Sequence, residues 1–364
     1  MDIKNFLADN ELFLFKKVGL IDKYNFYEFL AVLIDGGVSI SEAITSTSDK
    51  VRNQYFKKKI EELHMYLSSG DSLSRSMKKI PQVFEASEVA IIEAGESIGA
   101  VTASLFKLSE ELKKTHNLRL KIKGALTYPL IIFLFLLISV VIVLTYVIPA
   151  IKPLFATSDV ELPLATQALI GTSDFIQGNF LLIGLFFFTC FVIYVAYKNT
   201  EKGKANFDYM LLNLPLVGTV YKNYILSNIA SNLWTLFGSG VGIIKALTLV
   251  AKTSNNLVYE TMFTSIIDQV SKGSKITDAM KEIDKEHQFF PSDYVQMLAV
   301  GERTASLEAV AKKINDQYTR EVDHALWNLT RWIEPIAILL ASVFVLWFAF
   351  AIFGAILKVT QTVG

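Results

Sequence analysis

Two short stretches hold the residue types that nucleophilic catalysis needs. Gly70-Asp71-Ser72-Leu73 offers a serine hydroxyl, and Asp284-Lys285-Glu286-His287 places a carboxylate three residues before an imidazole. A histidine that takes the serine proton, oriented in turn by a carboxylate, would make Ser72 a nucleophile for ester hydrolysis. The setting argues against this. Such a serine follows a buried strand, whereas Ile60 to Leu67 (IEELHMYL) carries the charge pattern of an amphipathic helix. Gly70 then reads as a helix stop, with Ser72 and Ser74 near the next helix N-terminus. His64, His116, His287 and His324 lack metal-ligand spacing, and there is no Gly-x-x-x-x-Gly-Lys-Ser/Thr phosphate loop, so neither a metal nor another cofactor is expected. Cys190 is the single cysteine, which excludes intramolecular disulfides. A net charge of zero gives no global field for nucleic acid.

The elements that must position these residues are written twice. Leu33 to Ile44 (LIDGGVSISEAI) returns as Leu236 to Leu247 (LFGSGVGIIKAL), a shift of 203 positions that carries Gly37 onto Gly240 and Gly70 onto Gly273. Ser72 falls on Lys275, which weakens the nucleophile reading further. After a three-residue insertion around Lys285 to His287 the shift becomes 206. Phe84 then meets Phe290, Gly95-Glu96 meets Gly301-Glu302, and Tyr128-Pro129 meets Glu334-Pro335. Such register is the mark of an internal duplication. Apolar stripes at helical spacing, such as Phe26, Phe29, Leu30, Leu33 and Ile314, Tyr318, Val322, Ala325, Leu329, predict two antiparallel helical bundles.

Composition places the chain in a membrane. Of its 364 residues 52% are hydrophobic, 26 are Phe, and mean hydropathy is positive. Leu130 to Ile148 and Ile336 to Leu357 carry no charge and would run roughly 28 and 33 Å as helices, enough to cross a bilayer core. Leu181 to Tyr197 is shorter and is needed to return the chain to the side of the second copy. Lys113, Lys114, Arg119, Lys121 and Lys123 before the first span, and Lys198, Lys202, Lys204 and Lys222 after the second, put both modules in the cytoplasm. The loop between them carries only Lys152 against Asp159, Glu161 and Asp174. The mixed-charge start MDIKNFLADN gives no sign of a cleaved signal peptide.

The expected organisation is therefore an all-α membrane protein with two homologous cytoplasmic helical-bundle modules and three transmembrane helices. An N-terminal segment (1–23) precedes module one (24–128), the first span (129–149), an extracytoplasmic loop (150–178) and the second span (179–197). A linker with module two (198–334), the third span (335–357) and a short extracytoplasmic tail (358–364) follow. Gly95 and Gly301 are expected as left-handed helix caps, with Glu96 and Glu302 at the positive end of the next helix and Ser97 or Thr304 as its side-chain cap. Pro129 and Pro335 are expected in the first turn of each membrane helix.

Taken together these residues resemble the GspF/PilC inner-membrane platform proteins of type II secretion and type IV pili. The resemblance rests on Gly95-Glu96-Ser97-Ile98-Gly99, the Tyr-Pro and Glu-Pro pairs before the spans, Ile148-Pro149, and Leu162-Pro163 followed by Thr166. In the second copy, Gly301-Glu302-Arg303-Thr304-Ala305, alanine replaces the pattern's second glycine. The resemblance implies a non-enzymatic scaffold in the bacterial inner membrane, N-terminus cytoplasmic and C-terminus outside. It implies as partners a cytoplasmic hexameric assembly ATPase, a pilin or pseudopilin, other inner-membrane assembly proteins and further copies of the chain. Its first module would face the ATPase, with contacts expected between Lys57 and Arg75 and at Gly95 to Gly99. The second module would support oligomer contacts, and the spans would guide pilin helices. The alternatives are a membrane-bound GDSL-like esterase using Ser72, Asp284 and His287, and a permease subunit. The second is disfavoured by spans almost free of ionisable side chains.

Overall fold

The structure, a computed structural model, describes residues 18–156, 163–198 and 200–363, and every regular element among them is helical. The expectations placed on residues 1–17, Asp159, Glu161 and Leu162 lie outside the described residues. In chain order the elements are α1 (Leu20–Asp35), α2 (Ile40–Lys50), α3 (Gln54–Ser68), α4 (Leu73–Lys78), α5 (Ala86–Ser97) and α6 (Val101–Ile142). A π turn (Val143–Val147), α7 (Ile148–Ala156), α8 (Leu164–Gly178), α9 (Phe180–Lys198) and α10 (Glu201–Asn213) come next. Then follow α11 (Val217–Gly238), α12 (Ile243–Thr253), α13 (Leu257–Ser271), α14 (Ile276–Ile283), α15 (Ser292–Arg303) and α16 (Leu307–Val363). Two compact units result, Met1–Leu120 with Gly218–Val322, and Lys121–Val217 with Asp323–Gly364.

The first unit holds both copies of the repeat, and they match helix for helix. The starts of α2, α3 and α4 at Ile40, Gln54 and Leu73 map by the first shift onto Ile243, Leu257 and Ile276, where α12, α13 and α14 start. The starts of α5 and α6 at Ala86 and Val101 map by the second shift onto Ser292 and Leu307, where α15 and α16 start. The insertion sits between α14 and α15, and Asp284 folds it. Its carboxylate accepts the backbone N–H groups of Gln288, Phe289 and Phe290 at 3.0, 2.8 and 2.6 Å, while His287 adopts φ 53°. That tight turn hides three added residues without moving Phe290. Phe290 packs edge-on to Tyr259 and Phe263 at 5.5 and 5.8 Å, and at equivalent positions Phe84 and Phe56 flank Phe26 at 6.1 and 5.4 Å. Each module is thus built on a buried aromatic nest that contains edge-to-face pairs, which add to the area it removes from water.

The copies differ at one corner of this nest. In copy one the Lys23 ammonium pairs with the Glu88 carboxylate at 2.8 Å, both buried, and the Tyr27 hydroxyl donates to the same carboxylate at 3.1 Å. Copy two has Leu226, Tyr294 and Ala230 at those positions. Burial raises the Glu88 carboxyl, with Lys23 opposing. A buried ion pair survives only when its remaining hydrogen bonds are met. Here Tyr27 and the Glu85 backbone N–H, at 3.1 Å, meet them.

Side chains also tie copy to copy. Lys107 of α6 pairs with Glu308 of α16 at 2.6 Å, Glu93 of α5 with Lys245 of α12 at 2.6 Å, and Arg119 reaches the Tyr224 hydroxyl at 3.2 Å. Glu111 of α6 is buried against Thr235 of α11, and burial pushes its carboxyl up to about 8. The hydrogen bond between Thr235 and Glu111 works against that rise without cancelling it.

In the second unit the ends of α6 and α16 and the whole of α9 are long and apolar enough to cross a membrane. Pro129 and Pro335 lie inside α6 and α16, which corrects the expectation that they begin membrane helices. A proline in a helix removes one N–H and displaces the carbonyl four residues earlier. The carbonyls concerned, those of Ala125 and Arg331, precede the uncharged stretches, where solvent can satisfy them. Pro149 lies in the apolar stretch and needs a protein partner instead. In the π turn the N–H of Ile148 bonds to the Val143 carbonyl, so Leu144 would be answered by residue 149, which has no N–H. Ser173 of α8 donates its hydroxyl to the Leu144 carbonyl, with the Gln177 amide at 3.5 Å. Thus the stretch between the first two spans, expected as loop, contains a helix that satisfies the first span. Pro163 precedes this helix and packs against Gly354 of α16, and Thr166 donates to the Ala351 carbonyl.

The Glu111 contact gives a pH dependence. Glu111 has an ordinary value of 4.5 and a folded value near 8, so the folded state binds the extra proton. Its stabilisation is full below about pH 4.5 and declines towards pH 8, by about 1.4 kcal/mol per unit. Glu111→Gln should flatten this decline, leaving a variant no more stable than wild type near the low end and more stable at the high end. Tryptophan-monitored melting of the detergent-solubilised chain reads both slopes, and equal slopes would remove Glu111 as the cause.

Candidate functional site

The Gly-Glu pairs form a constellation present in both copies, and its geometry differs from the capping role expected of it. Gly95 and Gly301 lie within α5 and α15, not at their ends. A Cβ on Gly95 would collide with the Ser104 side chain of α6, and one on Gly301 would lie 3.0 Å from Val310 Cβ of α16. These glycines let two helices cross closely, which corrects the left-handed cap reading. That cap belongs four residues on, to Gly99 at φ 69° and, in copy two, to Ala305 at φ 52°. Gly37, Gly70, Gly240 and Gly273 take positive φ at the other helix stops.

Glu96 and Glu302 do not open the next helix either. Glu96 reaches back to α4, accepting the Ser74 N–H at 3.3 Å and the Ser74 hydroxyl. Glu302 accepts the N–H groups of Ile276 and Thr277 at 2.6 and 3.3 Å, and the Thr277 hydroxyl at 2.6 Å. Each carboxylate meets the orphan donors and the positive end of a short helix earlier in the chain. Ser97 and Thr304, expected as caps, donate instead to the carbonyls of Ala94 and Val300 at 2.7 and 2.8 Å.

The residues suited to ester hydrolysis are each occupied locally. Ser72 is the N-cap of α4, accepting the Arg75 N–H at 3.3 Å and lying 3.2 Å from the Ser74 hydroxyl. Asp284 serves its own turn, and His287 Nδ1 lies 3.2 Å from the Phe290 carbonyl. Ser72 belongs to copy one and the other two to copy two, and no described hydrogen bond joins them.

Around α4 and α5 runs a groove of about 730 Å³, lined by Ser72, Arg75, Lys78, Glu93 and Glu96 with Lys245 of copy two. Several charges between Lys57 and Lys79 are paired. Lys57 meets Asp49 at 3.5 Å, Lys59 meets Glu62 at 2.7 Å, and Arg75 and Lys79 share Asp71 at 3.7 and 2.5 Å. The Lys79 ammonium holds the Asp71 carboxyl below its usual range. At the Gly95 to Gly99 turn Ile98 is 69% exposed, where copy two has Thr304. There it adds little to the module's own core and leaves apolar surface that a partner could cover.

The family described as type II secretion system (T2SS), protein F, matches residues 26–149 and 229–355, one region for each copy. The chain is 30% identical to the type IV pilus assembly protein PilC of Pseudomonas aeruginosa, over 96% of this chain and 92% of that one. It is 29% identical to PilC of Thermus thermophilus, covering 95% and 84%, and 24% identical to the type II secretion system protein F of Aeromonas hydrophila, covering 92% and 85%.

Two substitutions test the reading of the Gly-Glu turns. Gly95→Ala should destabilise the chain by about 1–3 kcal/mol through overpacking against Ser104. Ala305→Gly should stabilise it by about 1 kcal/mol by relieving a left-handed alanine. Thermal unfolding of each variant is the check, and a Gly95→Ala variant as stable as wild type would contradict the close crossing.

Proposed function

The chain belongs to the type II secretion system protein F family, and from that membership we propose that it is a non-enzymatic inner-membrane platform for assembling a type IV pilus or a secretion pseudopilus. It couples a cytoplasmic hexameric assembly ATPase to the extraction of pilin or pseudopilin from the membrane. The observation that carries this reading is the pairing of each family-matched region with one helical module and the apolar helix that follows it. The names of the relatives support both machines.

Both modules face the cytoplasm in this reading, with the N-terminus inside and the C-terminus outside. The basic residues flanking the spans favour that orientation. The first module meets the ATPase, and Ile98 with the groove beside it is the surface offered. The second module supports contacts between copies of the chain. The uncharged spans present no electrostatic barrier to apolar pilin helices moving along them.

Purification of the tagged, detergent-solubilised chain from its native cells tests the proposal. An assembly ATPase and a pilin or pseudopilin should co-purify, and Ile98→Asp should reduce recovery of the ATPase without reducing that of the pilin. Recovery of neither protein, from membranes in which both are expressed, would overturn the reading.

A further inference from the structure

Helix α10 follows the second apolar helix after only two residues, and these reach at most ~7 Å. It therefore starts at the membrane surface where α9 ends. Its first half is folded against that end. Thr200 accepts the Gly203 N–H at 3.0 Å and donates to the Tyr197 carbonyl at 2.7 Å. Gly203 lies so close to that carbonyl that a Cβ would collide with it. Asn206 donates to the Tyr197 hydroxyl at 2.9 Å, Phe207 meets the Tyr194 ring at 5.6 Å, and the Lys198 ammonium sits 4.6 Å above Phe207.

The apolar face does not stop where α9 does. Within α10, Gly203, Phe207 and Met210 recur at helical spacing and share one face, and Leu214 follows at the helix end. Met210 is 51% exposed and Leu214 37%. Leu216, in the next loop, and Val217, at the start of α11, are exposed apolar residues as well. Lys202 and Lys204, both exposed, stand about a quarter turn to either side of the stripe, and Asp208 is buried. An apolar stripe flanked by lysines and anchored to the end of a span is the pattern of a helix lying in a bilayer surface, its ammonium groups reaching up to headgroups.

We propose that α10 is a membrane-interface helix, with Phe207, Met210 and Leu214 seated at the boundary between headgroups and acyl chains and Lys198, Lys202 and Lys204 holding anionic phospholipid headgroups. The occupant of the exposed stripe is the bilayer that α9 already crosses, and the flanking lysines select its anionic lipids. The inference does not depend on the assembly function.

The test places a nitroxide at Met210→Cys in the full-length Cys190→Ala chain, reconstituted in nanodiscs of phosphatidylcholine with or without phosphatidylglycerol. Collision rates with oxygen, which partitions into the bilayer, and with a polar nickel chelate, which stays in water, report the label's surroundings. Oxygen should dominate, and phosphatidylglycerol should lower the nickel-to-oxygen ratio several-fold. Adding Lys202→Gln and Lys204→Gln should abolish that lipid dependence. A label freely reached by nickel would overturn the proposal, as would one shielded from both reagents by protein. A ratio indifferent to phosphatidylglycerol would overturn the role given to the lysines. Leu214→Cys supplies an independent reading of the same stripe.

Discussion

The close crossing of α5 on α6, repeated by α15 on α16, sets the rest of each module. A side chain at Gly95 would meet Ser104, and one at Gly301 would press on Val310, so glycine is what allows the two helices to touch. The adjacent glutamate is then carried to the start of α4 or α14, where its carboxylate meets backbone donors that have no partner within their own helix. One Gly-Glu pair thereby fixes three helices. The left-handed turn that follows aims the next helix, which in each copy continues into an apolar stretch without a break.

A shared frame leaves the copies free to diverge. Copy one buries Lys23 with Glu88 and Tyr27 where copy two buries Leu226, Tyr294 and Ala230. An ion pair in that place brings stringent hydrogen-bond geometry and little net stabilisation, while Leu226, Ala230 and the Tyr294 ring bring buried area. Copy one also shows Ile98 and Gly99 at its turn where copy two has Thr304 and Ala305. The two modules that carry these differences are joined by Glu93, Lys107 and Glu111.

Much of this architecture was legible in the sequence, because duplication turns register into evidence. Both shifts, and the three-residue insertion that separates them, reappear in the helix boundaries. Both family-matched regions follow the same division. What could not be read was the partner of each motif. A glycine at a helix end and a glycine at a helix crossing look alike in one dimension, so Gly95 and Gly301 were expected as caps. Glu96 bonds to Ser74, Glu302 to Ile276 and Lys23 to Glu88, pairings between separate helices that no local pattern encodes. Pro129 and Pro335 suggested helix starts because proline is common there, yet a membrane boundary tolerates proline within a continuous helix. Ser173 carried a weak signal of its purpose in Pro149, since a proline there leaves a carbonyl to be satisfied.

The central claim is that this chain assembles filaments rather than performing a reaction on a small molecule. Its most direct test is to delete the chain from its native cells and quantify surface filaments or secreted cargo, with the amounts of ATPase and pilin measured alongside. Assembly should stop while both partners persist, and it should return with the wild-type chain and equally with Ser72→Ala. Normal assembly in the deletion strain, or recovery that depends on the Ser72 hydroxyl, would contradict the claim.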